Sequence, residues 1–144
     1  WHKPTPTDSG GFQIFSMNDI SKVTDDGVEF KSHHDGSSHL FTPEKTIQIQ
    51  HDIGADIIMQ LDECVSFSVD EDRAALAVDR TFQWGRRCFD EHTRLKSSAK
   101  TEILLFGIVQ GCVFQICAEN QRSKSSHSIL TATLSAVYPL ANQK

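Results

Sequence analysis

Two side chains far apart in the chain, the carboxylate of Asp62 and the primary amide of Gln110, have the chemistry to hold one polar edge of a small ring between them. A carboxylate only accepts hydrogen bonds, whereas an amide both donates and accepts. Side by side, they suit a ligand edge that offers donors next to an acceptor. The Watson–Crick edge of guanine, with N1–H and N2–H beside O6, is one such edge. A third stretch, "TPTDSGGFQIFSM", sets Asp8, Ser9, Gly10 and Gly11 directly before an apolar run. An acid, a hydroxyl and two glycines together suit a place where backbone and carboxylate both face a ligand. Blander readings stand beside these. Polar residues end most strands, Asp62 and Glu63 could cap the segment that follows, and "DSGG" alone reads as a turn.

The elements that would position these groups are legible in outline. Residues 12–16, "FQIFS", read as a short strand leaving the glycine pair. Asp26-Gly27 and Asp35-Gly36 are turn signals around the β-type runs "VEFKS" and "SHLFT", which predicts a small antiparallel meander. Thr42, Pro43 and Glu44 make a helix start, and the helix is expected to run to about Ile53 and stop at Gly54. "IIMQL" is continuous enough for a strand buried on both faces. Residues 70–96 read as a long helix whose apolar stripe takes in Ala74, Leu76 or Ala77, Val78, Phe82, Cys88 and Phe89. "ILLFGIVQG" closes the series as another apolar strand. Strands alternating with helices of this size predict an α/β fold with a parallel sheet. In such folds ligands bind at the carboxyl ends of the strands, where Asp62 and Gln110 would stand side by side.

Composition bounds the rest. The chain has 144 residues, 38% of them hydrophobic and 23% charged, which are globular values. A net charge of −5 argues against a domain covered in basic, phosphate-binding surface. No apolar run reaches the length of a membrane span and no signal peptide opens the chain, whose Trp1 reads as an arbitrary start. Cys64, Cys88, Cys112 and Cys117 lack CxxC spacing, so reduced thiols in a cytoplasmic protein are expected. His33 and His34 have no partner at metal-ligand spacing and read as surface-loop residues.

The blocks "TDSGGFQIFS", "GVEFKSHHDGSSHLFTPEKTIQIQHDIGADIIMQLDEC" and "RCFDEHTR…LFGIVQG" together resemble the tRNA-guanine transglycosylases, also called queuine tRNA-ribosyltransferases. The likeness covers about residues 4–111 in unbroken order. It implies a (β/α)8 TIM barrel of which residues 1–111 supply an early-to-middle part, with the meander as an insertion. It further implies exchange of guanine in a tRNA anticodon loop for a 7-deazaguanine base, on an enzyme whose family is expected to be homodimeric and membrane-free. By the same resemblance Asp8 is the general acid/base, a role that fits guanine's poor leaving ability as an anion. Ser9 hydrogen-bonds beside it, Phe12 stacks on the base, Asp62 accepts from N1–H and N2–H, Gln110 fixes O6, and Gly111 leaves room. Cys64 would lie near the base or act as a small buried hydrophobe. The family's nucleophilic aspartate and its structural zinc site fall outside the matching residues, so no cofactor and no activity are expected of this stretch alone.

After Gly111 the likeness stops. Joining the last base of each implied codon from Phe114 to Gln121 to the first two of the next permits "PDLRRKS". The same shift from Ser125 to Lys144 permits "LPFDFDGYAIGGLSVGEPK", which is how the family continues. Residues 112–144 are therefore expected to be an out-of-frame tail with little order. A guanine-binding piece without catalysis, or a non-catalytic structural or interaction protein, are the alternative functions.

Overall fold

The computed structural model of the protein describes residues 3–16, 21–32, 34–96 and 102–111. The chain opens with an extended segment whose Pro6 bridges Ile57 in parallel. Helix α1 (Gly11–Ser16) follows, then strands β1 (Ser21–Val23), β2 (Val28–Lys31) and β3 (Ser38–Phe41), helix α2 (Pro43–Ile53), strand β4 (Ile57–Met59), helix α3 (Glu71–Lys96) and strand β5 (Leu104–Phe106). β1, β2 and β3 form one antiparallel sheet in that order, while β4 and β5 pair in parallel, Ile58 opposite Leu105. The protein is thus a mixture of helices and sheets.

α2 begins and ends on local signals. Thr42 is extended, its hydroxyl accepts from the Lys45 amide at 3.2 Å, and Pro43 takes a first-turn position where no amide proton is needed. Gly54, at φ 77°, closes the helix in the left-handed region, its amide donating to Gln50 and His51 carbonyls. α3 starts where Asp70 accepts from the Arg73 amide at 2.8 Å. That leaves Asp62 and Glu63 without a capping task. Its inward stripe is Ala74, Ala77, Val78, Thr81, Trp84, Gly85, Cys88 and His92, so Ala77 rather than Leu76 faces the core, and Leu76 is exposed.

One expected element is different. Residues 12–16 are helical, not a strand. Gly10 sits at φ 85°, turning the chain, and its carbonyl then accepts from the Ile14 amide at 3.0 Å, closing a helical turn. Extended pairing comes earlier, where Thr7 donates to the Ile57 carbonyl and Asp56 to the Thr5 carbonyl. Residues 5–7, β4 and β5 therefore run side by side, and Asp8 follows its extended segment instead of preceding one. The core that supports them joins Ile47 of α2, Ile58, Leu61, Trp84, Cys88 and Leu105. Burial of this kind contributes about 25 cal/mol for each Å² of apolar surface removed from water. The Trp84 indole also donates to the Asp25 carbonyl at 2.8 Å, which ties the turn between β1 and β2 to α3. Of the two loop histidines, His34 is exposed and His33 lies outside the described residues, as does the whole of 112–144.

Candidate functional site

Three neighbouring extended segments reach one rim. Asp8 and Ser9 leave the first, Asp62 and Cys64 leave β4, and Gln110 and Gly111 leave β5. The structure brings Asp62 and Gln110 into contact: the Gln110 amide nitrogen donates to Asp62 Oδ2. The Cys64 thiol donates to the same oxygen at 3.4 Å, and Gln110 also lies 3.6 Å from the sulfur. On the other side, Gly11 packs its Cα against the carboxylate, and a Cβ there would collide with Oδ1 and the backbone oxygen of Asp62. Only glycine permits this approach. The second glycine of "DSGG" therefore has a steric reason and the first a conformational one.

Exposure divides the group. Asp62 and Ser9 are buried, Gly111 is buried, Cys64 and Gln110 are partly covered, and Asp8 is exposed. Phe12, on the first turn of α1 after the glycine pair, is 63% exposed. Ser9 serves the turn: its amide donates to Asp8 Oδ1 at 2.8 Å, which orients that carboxylate.

Electrostatics follow from this packing. Burial raises the Asp62 pKa above its ordinary value of 3.8. Hydrogen bonds from Gln110 and Cys64 work against that rise, and the charge of Asp8 works with it. Burial, followed by the Asp62 charge, pushes the Cys64 thiol up to about 12, so it is a neutral hydrogen-bond donor and not a nucleophile. Chemically the rim offers a buried carboxylate, a primary amide, an exposed carboxylate and an exposed phenyl ring. Among the described residues no group of three or more His, Cys, Asp or Glu is arranged to hold a metal ion.

The same geometry contains residues that sequence reasoning passed over. Glu63 is buried and paired with both Arg73 and Arg80 of α3, the latter at 2.6 Å. Arg80 reaches on to Asp25, and Arg87 to Glu44 and the Asp25 and Asp26 carbonyls. A signal existed: Arg73, Arg80, Arg87 and Arg94 recur at every seventh position, which keeps them on one helix face. A cavity of about 180 Å³ lies beside this network, lined among others by Gly11, Asp62, Glu63, Cys64, Arg73 and Trp84.

Comparison with known proteins bears on what such a rim is for. The family model described as queuine tRNA-ribosyltransferase matches residues 1–138. The chain belongs to the queuine tRNA-ribosyltransferase family. The match to the family model continues past Gly111, beyond the motifs quoted above. A protein of Acetivibrio thermocellus named queuine tRNA-ribosyltransferase is 45% identical over 130 residues, covering 90% of this chain and 32% of that protein. One of the same name from Halothermothrix orenii is 49% identical over 115 residues, covering 80% of this chain and 29% of its own length. The chain spans about a third of the length of these curated relatives. Among the described residues no helix is long and apolar enough to cross a membrane.

Proposed function

We propose that this chain forms the base-gripping part of a tRNA-guanine transglycosylase, the enzyme that exchanges an anticodon-loop guanine for a 7-deazaguanine base. The observation that carries the reading is the contact between the Asp62 carboxylate and the Gln110 amide at adjacent parallel exits, with Asp8 close enough to affect Asp62. In this reading the purine edge takes over the bond that Gln110 now makes. Asp62 turns its lone pairs to guanine N1–H and N2–H, and the released Gln110 amide donates to O6. Phe12 covers one face of the ring, Gly111 leaves space for it, and Cys64 lines the pocket as a neutral donor. Asp8, exposed and oriented by the Ser9 amide, moves the proton that guanine needs in order to leave.

The three extended segments would be consecutive staves of a partial (β/α)8 barrel, with the antiparallel β1–β3 sheet as an inserted meander. The nucleophilic aspartate and the zinc ligands of the family would come from elsewhere in a full-length, homodimeric enzyme acting on tRNA. Residues 112–144 would be translated out of frame, which the coding DNA around codon 111 decides. Isothermal titration with guanine tests the grip: the expected result is heat of binding that is absent in Asp62→Asn. No heat at millimolar guanine with the parent chain would remove the reading. Base exchange on tRNA by this chain alone is expected to be undetectable with radiolabelled guanine.

A further inference from the structure

We propose that Glu63, held between Arg73 and Arg80, is a positioning residue that aims Asp62 into the crevice and links its orientation to the β1–β3 sheet. Its functional meaning rests on the base-binding reading above, but its geometry does not. β4 ends at Met59, and after the Gln60 amide donates to the Phe106 carbonyl at 3.0 Å the strand ladder is over. From there the exit segment is held from the α3 side. The Leu61 amide donates to Cys88 Sγ at 3.5 Å and the Glu63 amide to Thr81 Oγ1 at 3.0 Å. In extended backbone, successive side chains point to opposite sides. Glu63 points back to α3 and Asp62 forward to Gln110, so clamping one sets the angle of the other.

The clamp is a poor device for stability alone. The Glu63 side chain is 2% exposed and both its oxygens are committed to guanidinium groups, a burial whose desolvation offsets most of the attraction. Among the described residues the buried Arg73 Nη1 has no hydrogen-bond partner, a loss that a purely structural residue would avoid. What the pair does supply is direction, because two arginines fix both carboxylate oxygens. Arg80 extends that direction outward through Asp25, whose carbonyl the Trp84 indole also holds.

The test uses the Gln110 side-chain amide as the reporter, read in proton–nitrogen spectra of the chain and assigned with Gln110→Ala. Glu63→Gln and Arg73→Gln are compared with the parent. Arg73→Gln keeps the Arg80–Glu63 pair and removes the Arg73–Glu63 pair. Both variants are expected to lose the carboxylate-bonded shift of the Gln110 amide and to move the Asp62 carboxyl titration, with the Trp84 indole signal in place. Guanine affinity should fall about tenfold in each. If Glu63→Gln loses the Trp84 signal through unfolding, Arg73→Gln decides. Folded variants with an unchanged Gln110 amide and an unchanged Asp62 titration overturn the proposal. A parent chain that ignores guanine overturns the base-binding reading instead, and the amide comparison still decides this one.

Discussion

Gln50 and Asp62 attend the same strand, and both are buried, yet they have been treated oppositely by the fold. Gln50 leaves nothing unused. Its oxygen accepts from the Met59 amide at 2.9 Å and the Thr7 hydroxyl at 3.0 Å, and its nitrogen donates to the Met59 and Thr46 carbonyls. These bonds join α2, β4 and the opening segment, and three of the four reach distant backbone or side chains. Asp62 brings a carboxylate into a site of similar burial, and the side chains that donate to it among the described residues are a neighbouring amide and a thiol. Its raised pKa records the deficit. A buried polar group whose bonds are all made to the scaffold is there to join elements. One whose partners are side chains at a partly open rim can change partners.

The largest effect should come from breaking the satisfied member. Gln50→Leu strands the Met59 amide and carbonyl and should cost about 3–4 kcal/mol in urea unfolding. A variant as stable as the parent would end the distinction between the two residues. Asp62→Asn should do the reverse, abolishing the guanine response by about a hundredfold, near 3 kcal/mol, while the thermal midpoint stays level or rises. A fall in both would mean that Asp62 is scaffold after all.

Acid sharpens the same contrast in the parent chain. Because the folded Asp62 pKa is raised above 3.8, it takes up a proton in the fold before it would in the unfolded chain. Guanine binding should fade as pH drops through that raised value, while the contribution of Asp62 to stability increases over the same interval. Titrations at a series of pH values, with melts alongside, separate the two trends.

Phe12→Ala should weaken guanine binding by about tenfold, in the range of one base–aromatic stack, with stability changed by less than about 0.5 kcal/mol. The smallest effect concerns a pair that belongs with Gln50. His51 Nε2 and His92 Nδ1 lie 3.0 Å apart between α2 and α3, and burial lowers both pKa values from 6.5. The charges of Asp52 and Glu91 oppose that shift at His51, whereas those of His51 and Lys96 add to it at His92. The unfolded chain takes up these protons first, so stability should decline as pH falls below 6.5, read as a falling Tm. His92→Gln should flatten that part of the melt profile and leave guanine binding unchanged.

Local chemistry alone determined much of this protein. Thr42, Pro43 and Gly54 set the bounds of α2 within a few residues of themselves, and the stripe along 71–96 needed only its own periodicity to be read as a helix. The order of short motifs was enough for the family. Tertiary structure decided what no window of sequence contains. Residues 12–16 became helical because Gly10 turned the chain, while pairing with β4 went to residues 5–7. Asp62 met Gln110 across 48 residues, and Gln50 met Thr7 across 43. Arg73, Arg80 and Arg87 of α3 found their partners in the turn after β1, at the start of α2 and at the exit of β4. Capping and periodicity act through bonds between near neighbours, which any short stretch can express. The mating of buried charges depends on which surfaces the folded chain presses together.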